Sequence, residues 1–156
     1  MNILYTYPET IVDGDGIRYS IYFAGCPHRC KGCHNEKGQN PNAGTKLTDE
    51  FLSQIIHDIN NNPLLDGITL SGGDPFFNPT EIYPIIERLK RETDLSIWCY
   101  TGFLIEDLMK RPECLKILRL IDILVDGPFI ESKFSPTLSF RGSENQRIIK
   151  VQELLK

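Results

Sequence analysis

What most constrains this chain is a strand pattern that recurs with helical stretches between its copies. Ile17, Tyr19, Ile21 and Phe23 alternate with Arg18, Ser20 and Tyr22, a period of two that predicts a strand. Thr48 then precedes Asp49 and Glu50 and an apolar stripe of Phe51, Leu52, Ile55, Ile56 and Ile59. That order predicts a helix capped by Thr48 and favoured by acidic groups in its first turn, running to about residue 62. Further strands are predicted at 68–70, 95–100, 121–125 and 147–151. A second helix, to about residue 91, turns Ile85, Ile86 and Leu89 inward, and Pro84 places its regular start near Tyr83. Residues 104–118 read as helix broken at Pro112, and 36–46 as loop.

Alternating strands and helices imply a parallel sheet with helical crossovers. Ligands of such sheets gather where the strands end at their carboxyl edge. Four distinctive loops fall at those ends: the cysteine segment 25–35, SGGDP at 71–75, YTG at 100–102 and VDGP at 125–128. A closed eight-fold barrel takes ~250 residues, and this chain has 156. The expectation is one α/β domain spanning 1–156, an open partial (βα) barrel of five to six mostly parallel strands.

The net charge of −4 argues against a nucleic-acid surface, which needs a basic stripe. No apolar run approaches the ~20 residues of a membrane span, and residues 1–8 do not read as a signal peptide. A cytoplasmic, reducing setting is therefore expected, with neither nucleic acid nor membrane as partner.

In such a setting the placement of the five cysteines matters. Cys99 and Cys114 stand alone in strand and helix patterns and read as small buried apolar groups. Cys26, Cys30 and Cys33 lie within eight residues, among proline, glycine and charged spacers that make no core stripe. Three thiolates around a four-iron cube would leave one iron open, the arrangement of a reactive metal centre. Two other readings stand beside it. Zinc could be closed by His28 or His34 in a non-catalytic interaction module, and a simple iron–sulfur electron carrier would need a fourth ligand.

The spacing C-x3-C-x2-C after the first predicted barrel strand resembles the signature of the radical S-adenosylmethionine enzymes. The preceding 13–18, DGDGIR, is similar to the corresponding loop of glycyl-radical-activating enzymes, which often carry Pro where Asp15 stands. LSGGDP at 70–75, WCYTG at 98–102, LVDGPF at 124–129 and RGSENQR at 141–147 extend the likeness over nearly the whole chain. Together these segments resemble the family of activating proteins of the anaerobic ribonucleoside-triphosphate reductase. The resemblance implies a [4Fe–4S] cluster on Cys26, Cys30 and Cys33, with S-adenosylmethionine on its open iron. It implies cofactor contacts for Gly32, Cys33 and His34 beside the cluster, and for Gly72, Gly73 and Asp74 at the methionine amino group. The rim position of Asp126 adds that residue to the cofactor candidates, while Arg141 and Arg147 are candidates for ligand or partner contact. The implied partners are the glycine loop of the reductase large subunit and an external, flavodoxin-like one-electron donor. The implied activity is reductive cleavage of S-adenosylmethionine that places a glycyl radical on the reductase.

Overall fold

The computed structural model describes residues 1–156. Seven strands form one sheet: β1 (Asn2–Thr10), β2 (Arg18–Phe23), β3 (Thr45–Lys46), β4 (Gly67–Gly72), β5 (Ser96–Tyr100), β6 (Ile123–Asp126) and β7 (Arg147–Lys150). Their spatial order is β3-β1-β2-β4-β5-β6-β7. The central pairs β2–β4, β4–β5 and β5–β6 are parallel, while β1, β3 and β7 pair antiparallel. The count is thus seven strands rather than five or six. The two additions, β1 and β3, lie where no strand was expected. In β1, Pro8 interrupts the pattern; it sits in the register shift between Tyr7 and Thr10, where its missing N–H breaks no regular ladder.

Five helices connect and flank these strands: α1 (Asp49–Asn60), α2 (Pro79–Thr93), α3 (Ile105–Met109), α4 (Pro112–Leu118) and α5 (Val151–Leu154). Thr48 caps α1 by accepting from Phe51 N at 3.1 Å. Helix α2 begins four residues before the expected start at Tyr83. Asn78 caps it, Pro79 opens it, and the exposed Pro84 is carried inside. A proline there removes only the bond to the Thr80 carbonyl, which is also exposed and can turn to water. Pro112 does separate two helices, as the first residue of α4.

One face of the sheet carries the helices. Ile21 and Phe23 of β2, Ile68 and Leu70 of β4, Ile97 and Cys99 of β5 and Leu124 of β6 meet Leu52, Ile55 and Ile59 of α1, Ile82, Ile86 and Leu89 of α2 and Ile117 of α4 in a single buried cluster. The opposite face is buried too, although its β2 residues are polar. Arg18 and Ser20 are fully buried there with Thr69 and Trp98. The Arg18 guanidinium donates to Thr69 Oγ1 (2.9 Å), to the carbonyls of Asp15 (2.9 Å), Ile68 (3.0 Å) and Ser96 (3.1 Å), and lies over the Trp98 ring. Burial lowers its pKa to about 10, which leaves a buried cation at neutral pH. Arg18→Leu should strand those acceptors and destabilise the fold by about 2–4 kcal/mol. Urea unfolding would show this as a lower midpoint.

Because β2, β4, β5 and β6 run parallel, their carboxyl ends share one edge of the sheet. The four loops singled out in the sequence therefore meet there.

Candidate functional site

Strand β2 ends at Phe23 and delivers Cys26, Cys30 and Cys33 to one wall of a cleft at that edge. Backbone hydrogen bonds seat the loop. Gly25 N donates to Gly38 O (2.6 Å), Cys26 N to Gln39 O (3.3 Å) and Cys33 N to Cys30 O (3.1 Å). The segment read as loop thus contains a 3-10 turn, Glu36–Gln39, which backs the cysteine loop, and β3, which pairs with β1. All three thiols are unpaired and half-buried. Burial pushes the Cys26 thiol up to about 11, with the Asp74 carboxylate adding to it, so binding a metal there would release a proton. Asn35 N donates to Cys33 Sγ at 3.4 Å, a bond that suits a metal-bound thiolate.

The sulfur spacing bears on which metal fits. Zn–S bonds of about 2.3 Å in a tetrahedron put three thiolates about 3.8 Å apart. The cysteine sulfurs do not converge in that way. The one trio of ligand atoms mutually within 4.8 Å is Cys26, His28 and Asp74, and in it His28 and Asp74 already bond each other. Three free thiols lining one cleft offer ligands to a multi-iron unit.

Gly72 and Gly73 line the same cleft as the thiols, as their place at a strand end predicts. Their lack of side chains serves the protein itself as well as any ligand. A Cβ on Gly73 would lie 2.4 Å from Gly38 O and 2.5 Å from Gly25 O, and one on Gly72 (φ +111°) would lie 2.3 Å from the Phe23 backbone. Gly73 N donates to Phe23 O (2.7 Å) and Asp74 N to Gly25 O (2.8 Å). The SGGDP turn is thereby laced flat against the base of the cysteine loop.

His34 lines the cleft and stacks edge-on against Phe129, with ring centroids 5.2 Å apart. Tyr100, Thr101, Phe129 and Gln146 also line it. Sequence reasoning marked their segments without choosing these residues, because only the sheet edge brings them together. Gly32 is exposed and outside the cleft, and a Cβ there would face Glu131.

Two residues expected at the cofactor lie away from the cleft lining. Asp74 and Asp126 are fully buried and neither lines the cleft. Asp126 accepts from Ile105 N (2.9 Å) and from the Arg147 guanidinium (2.9 and 2.5 Å), which also pairs with Glu106. Arg147 therefore ties β6, β7 and α3 together. Arg141 donates to Gln146 O (3.1 Å), while Gln146 Oε1 accepts from Gly142 N and Ser143 N. The RGSENQR segment is mainly a self-bonded brace for the Gly127–Pro128 turn, to which Gln146 and Asn145 donate. Asp126→Ala should leave the buried Ile105 amide unpaired and the exposed Arg147 without one of its two carboxylates, costing about 1–3 kcal/mol of stability while sparing iron uptake. Chemical unfolding alongside iron analysis would check both. Arg147 also holds the Glu106 carboxyl down to about 2. That exposed pair contributes fully above about pH 4.5 and is lost as the pH falls towards 2, so Glu106→Gln should flatten acid unfolding in that window, less so in high salt.

A three-thiol loop at the carboxyl edge of a parallel sheet suits an iron–sulfur centre. The sequence model of the 4Fe-4S single cluster domain matches residues 12–149. Proteins named anaerobic ribonucleoside-triphosphate reductase-activating protein are similar over almost their full length. The one from Haemophilus influenzae is 40% identical over 152 residues, 95% of this chain and 97% of the relative. That of Escherichia coli K12 is 37% identical over 150 residues (94% and 96%), and that of phage T4 is 32% identical over 151 (95% and 93%). The chain belongs to the family of anaerobic ribonucleoside-triphosphate reductase-activating proteins. No helix is long and apolar enough to cross a membrane.

Proposed function

We propose that this protein activates an anaerobic ribonucleotide reductase by placing a radical on a glycine of its large subunit. The observation that carries the reading is the cleft itself, which three unpaired thiols and the Gly72–Gly73 turn line together at the carboxyl ends of parallel strands. Cys26, Cys30 and Cys33 would hold a [4Fe–4S] cluster, leaving one iron for S-adenosylmethionine. A reduced cluster with S-adenosylmethionine held at this site would supply one-electron cleavage of the sulfonium to methionine and a 5′-deoxyadenosyl radical able to take hydrogen from the glycine Cα of the partner.

The chain's own residues then bind, orient and exclude water. The backbone at Gly72 and Gly73, which no side chain covers, suits the methionine amino group. His34, on the cleft wall against Phe129, suits the neighbourhood of the adenine. The sheet leaves β3 and β7 as free edges. In this reading residues 1–156 act as one domain, an open partial barrel whose unclosed side admits a loop of another protein. An external one-electron carrier of flavodoxin type, which the family resemblance suggests, would supply the electron.

The test is anaerobic reconstitution with iron and sulfide, then mixing with the reductase, S-adenosylmethionine and a one-electron reductant. A glycyl radical should appear in the electron spin resonance spectrum. Deuterium placed at the target glycine Cα should be recovered in 5′-deoxyadenosine, with solvent exchange at that carbon controlled. Label recovered in water or on a thiol, with the radical still formed, would show that an intermediate carrier moves the hydrogen. A protein that takes up iron yet forms no radical on the reductase would overturn the assignment.

A further inference from the structure

Asp74 sits in the motif expected to receive the cofactor amino group, yet its carboxylate is sealed under the cleft floor and is already saturated. It accepts from Phe76 N (2.9 Å) in its own turn and from Thr101 Oγ1 (2.9 and 3.0 Å) and Gly102 N (2.9 Å) after β5. The last donor is His28 Nε2 (2.6 Å), from inside the cysteine loop. A carboxylate has about four lone-pair sites, and four donors occupy them. To meet an incoming ammonium it would have to release buried N–H groups, each costly to leave unpaired.

His28 lies between Cys26 and Cys30, so its attachment is the loop's attachment. Its ring packs edge-on against Phe103, with centroids 4.4 Å apart. A Cβ on Gly102 would reach within 2.5 Å of that ring. The imidazole is thus held by Asp74, Phe103 and the backbone at Gly102, and one buried carboxylate joins the cysteine loop to the SGGDP and Thr101–Gly102 turns.

Building on the proposed cofactor site, we infer that Asp74 is a positioning residue acting through His28. It fixes the seat of the cysteine loop relative to the Gly72–Gly73 turn, so that cluster and amino-acid pocket keep one spacing, and it does not itself contact the cofactor. His28→Ala removes the Asp74 link together with the ring's packing on Phe103 and Gly102. His28→Gln restores a donor at about the reach of Nε2.

Two measurements decide it. In the cluster-free protein, His28→Ala should speed amide exchange at Cys26 and at Thr101–Phe103, with helices α1 and α2 unchanged. In the reconstituted protein, His28→Ala should weaken S-adenosylmethionine binding roughly tenfold or more, the scale of a hydrogen bond to a charged group. It should also alter the reduced cluster's spin resonance signal with the cofactor bound, and His28→Gln should recover most of both. Unchanged exchange and affinity in His28→Ala would overturn the inference. So would normal binding in His28→Ala with binding lost in Asp74→Asn, which would put Asp74 on the cofactor. If the wild-type protein binds no S-adenosylmethionine, the cofactor reading falls, and the exchange comparison still decides whether the clamp exists.

Discussion

Alanine at Cys26, Cys30 or Cys33 is expected to abolish both the intact four-iron cluster and cleavage of S-adenosylmethionine. Each variant removes one thiolate from the cleft wall. The remaining cysteines, Cys99 and Cys114, are fully buried in the core cluster and cannot take its place. Cys99→Ala and Cys114→Ala should keep both properties and show only a packing loss of about 1–2 kcal/mol. Iron and sulfide analysis after anaerobic reconstitution, with the absorption spectrum, reads the first effect. Full iron content and turnover in Cys30→Ala would remove the basis of the site.

Gly73→Ala is expected to be nearly as damaging, and for a reason different from the one the motif suggests. Read as sequence, the glycine leaves room for a ligand, so a larger residue should block the cofactor and spare the cluster. In the fold, the added Cβ lies 2.4 and 2.5 Å from the carbonyl oxygens of Gly38 and Gly25. Both belong to backbone that seats the cysteine loop, and neither can swing aside like a flexible side chain. The loop must shift, breaking the Asp74 N to Gly25 O bond. The expected result is loss of cluster retention together with loss of cofactor binding, and a stability cost of about 3 kcal/mol. A variant that holds a full cluster and lacks only cofactor binding would show that the steric conflict is relieved without moving the loop.

How far the sequence reached can be argued from particular residues. Thr48 with Asp49 and Glu50 marked the start of α1 because capping and dipole effects are local. The central strands were legible from short apolar runs closed by glycine and aspartate. Strand β1 was not, because its stability comes from pairing with β2 and β3 on either side rather than from its own pattern, which Pro8 interrupts. Pro84 misled the reading of α2 because the Asn78 cap and the burial of Ile82 and Ile86 outweigh one lost hydrogen bond.

The same division runs through the site. Three cysteines at fixed spacing mark by themselves the thiols on offer to a metal, since ligand chemistry belongs to the residue. The placement of the carboxylates was decided only by the tertiary structure. Nothing local distinguishes Asp74 or Asp126 from a rim carboxylate facing a ligand. Their partners, His28 and Thr101 for one and Ile105 and Arg147 for the other, come from segments 21 to 46 residues away. A buried carboxylate must be met by several donors at once, and only the converging strand ends could supply them.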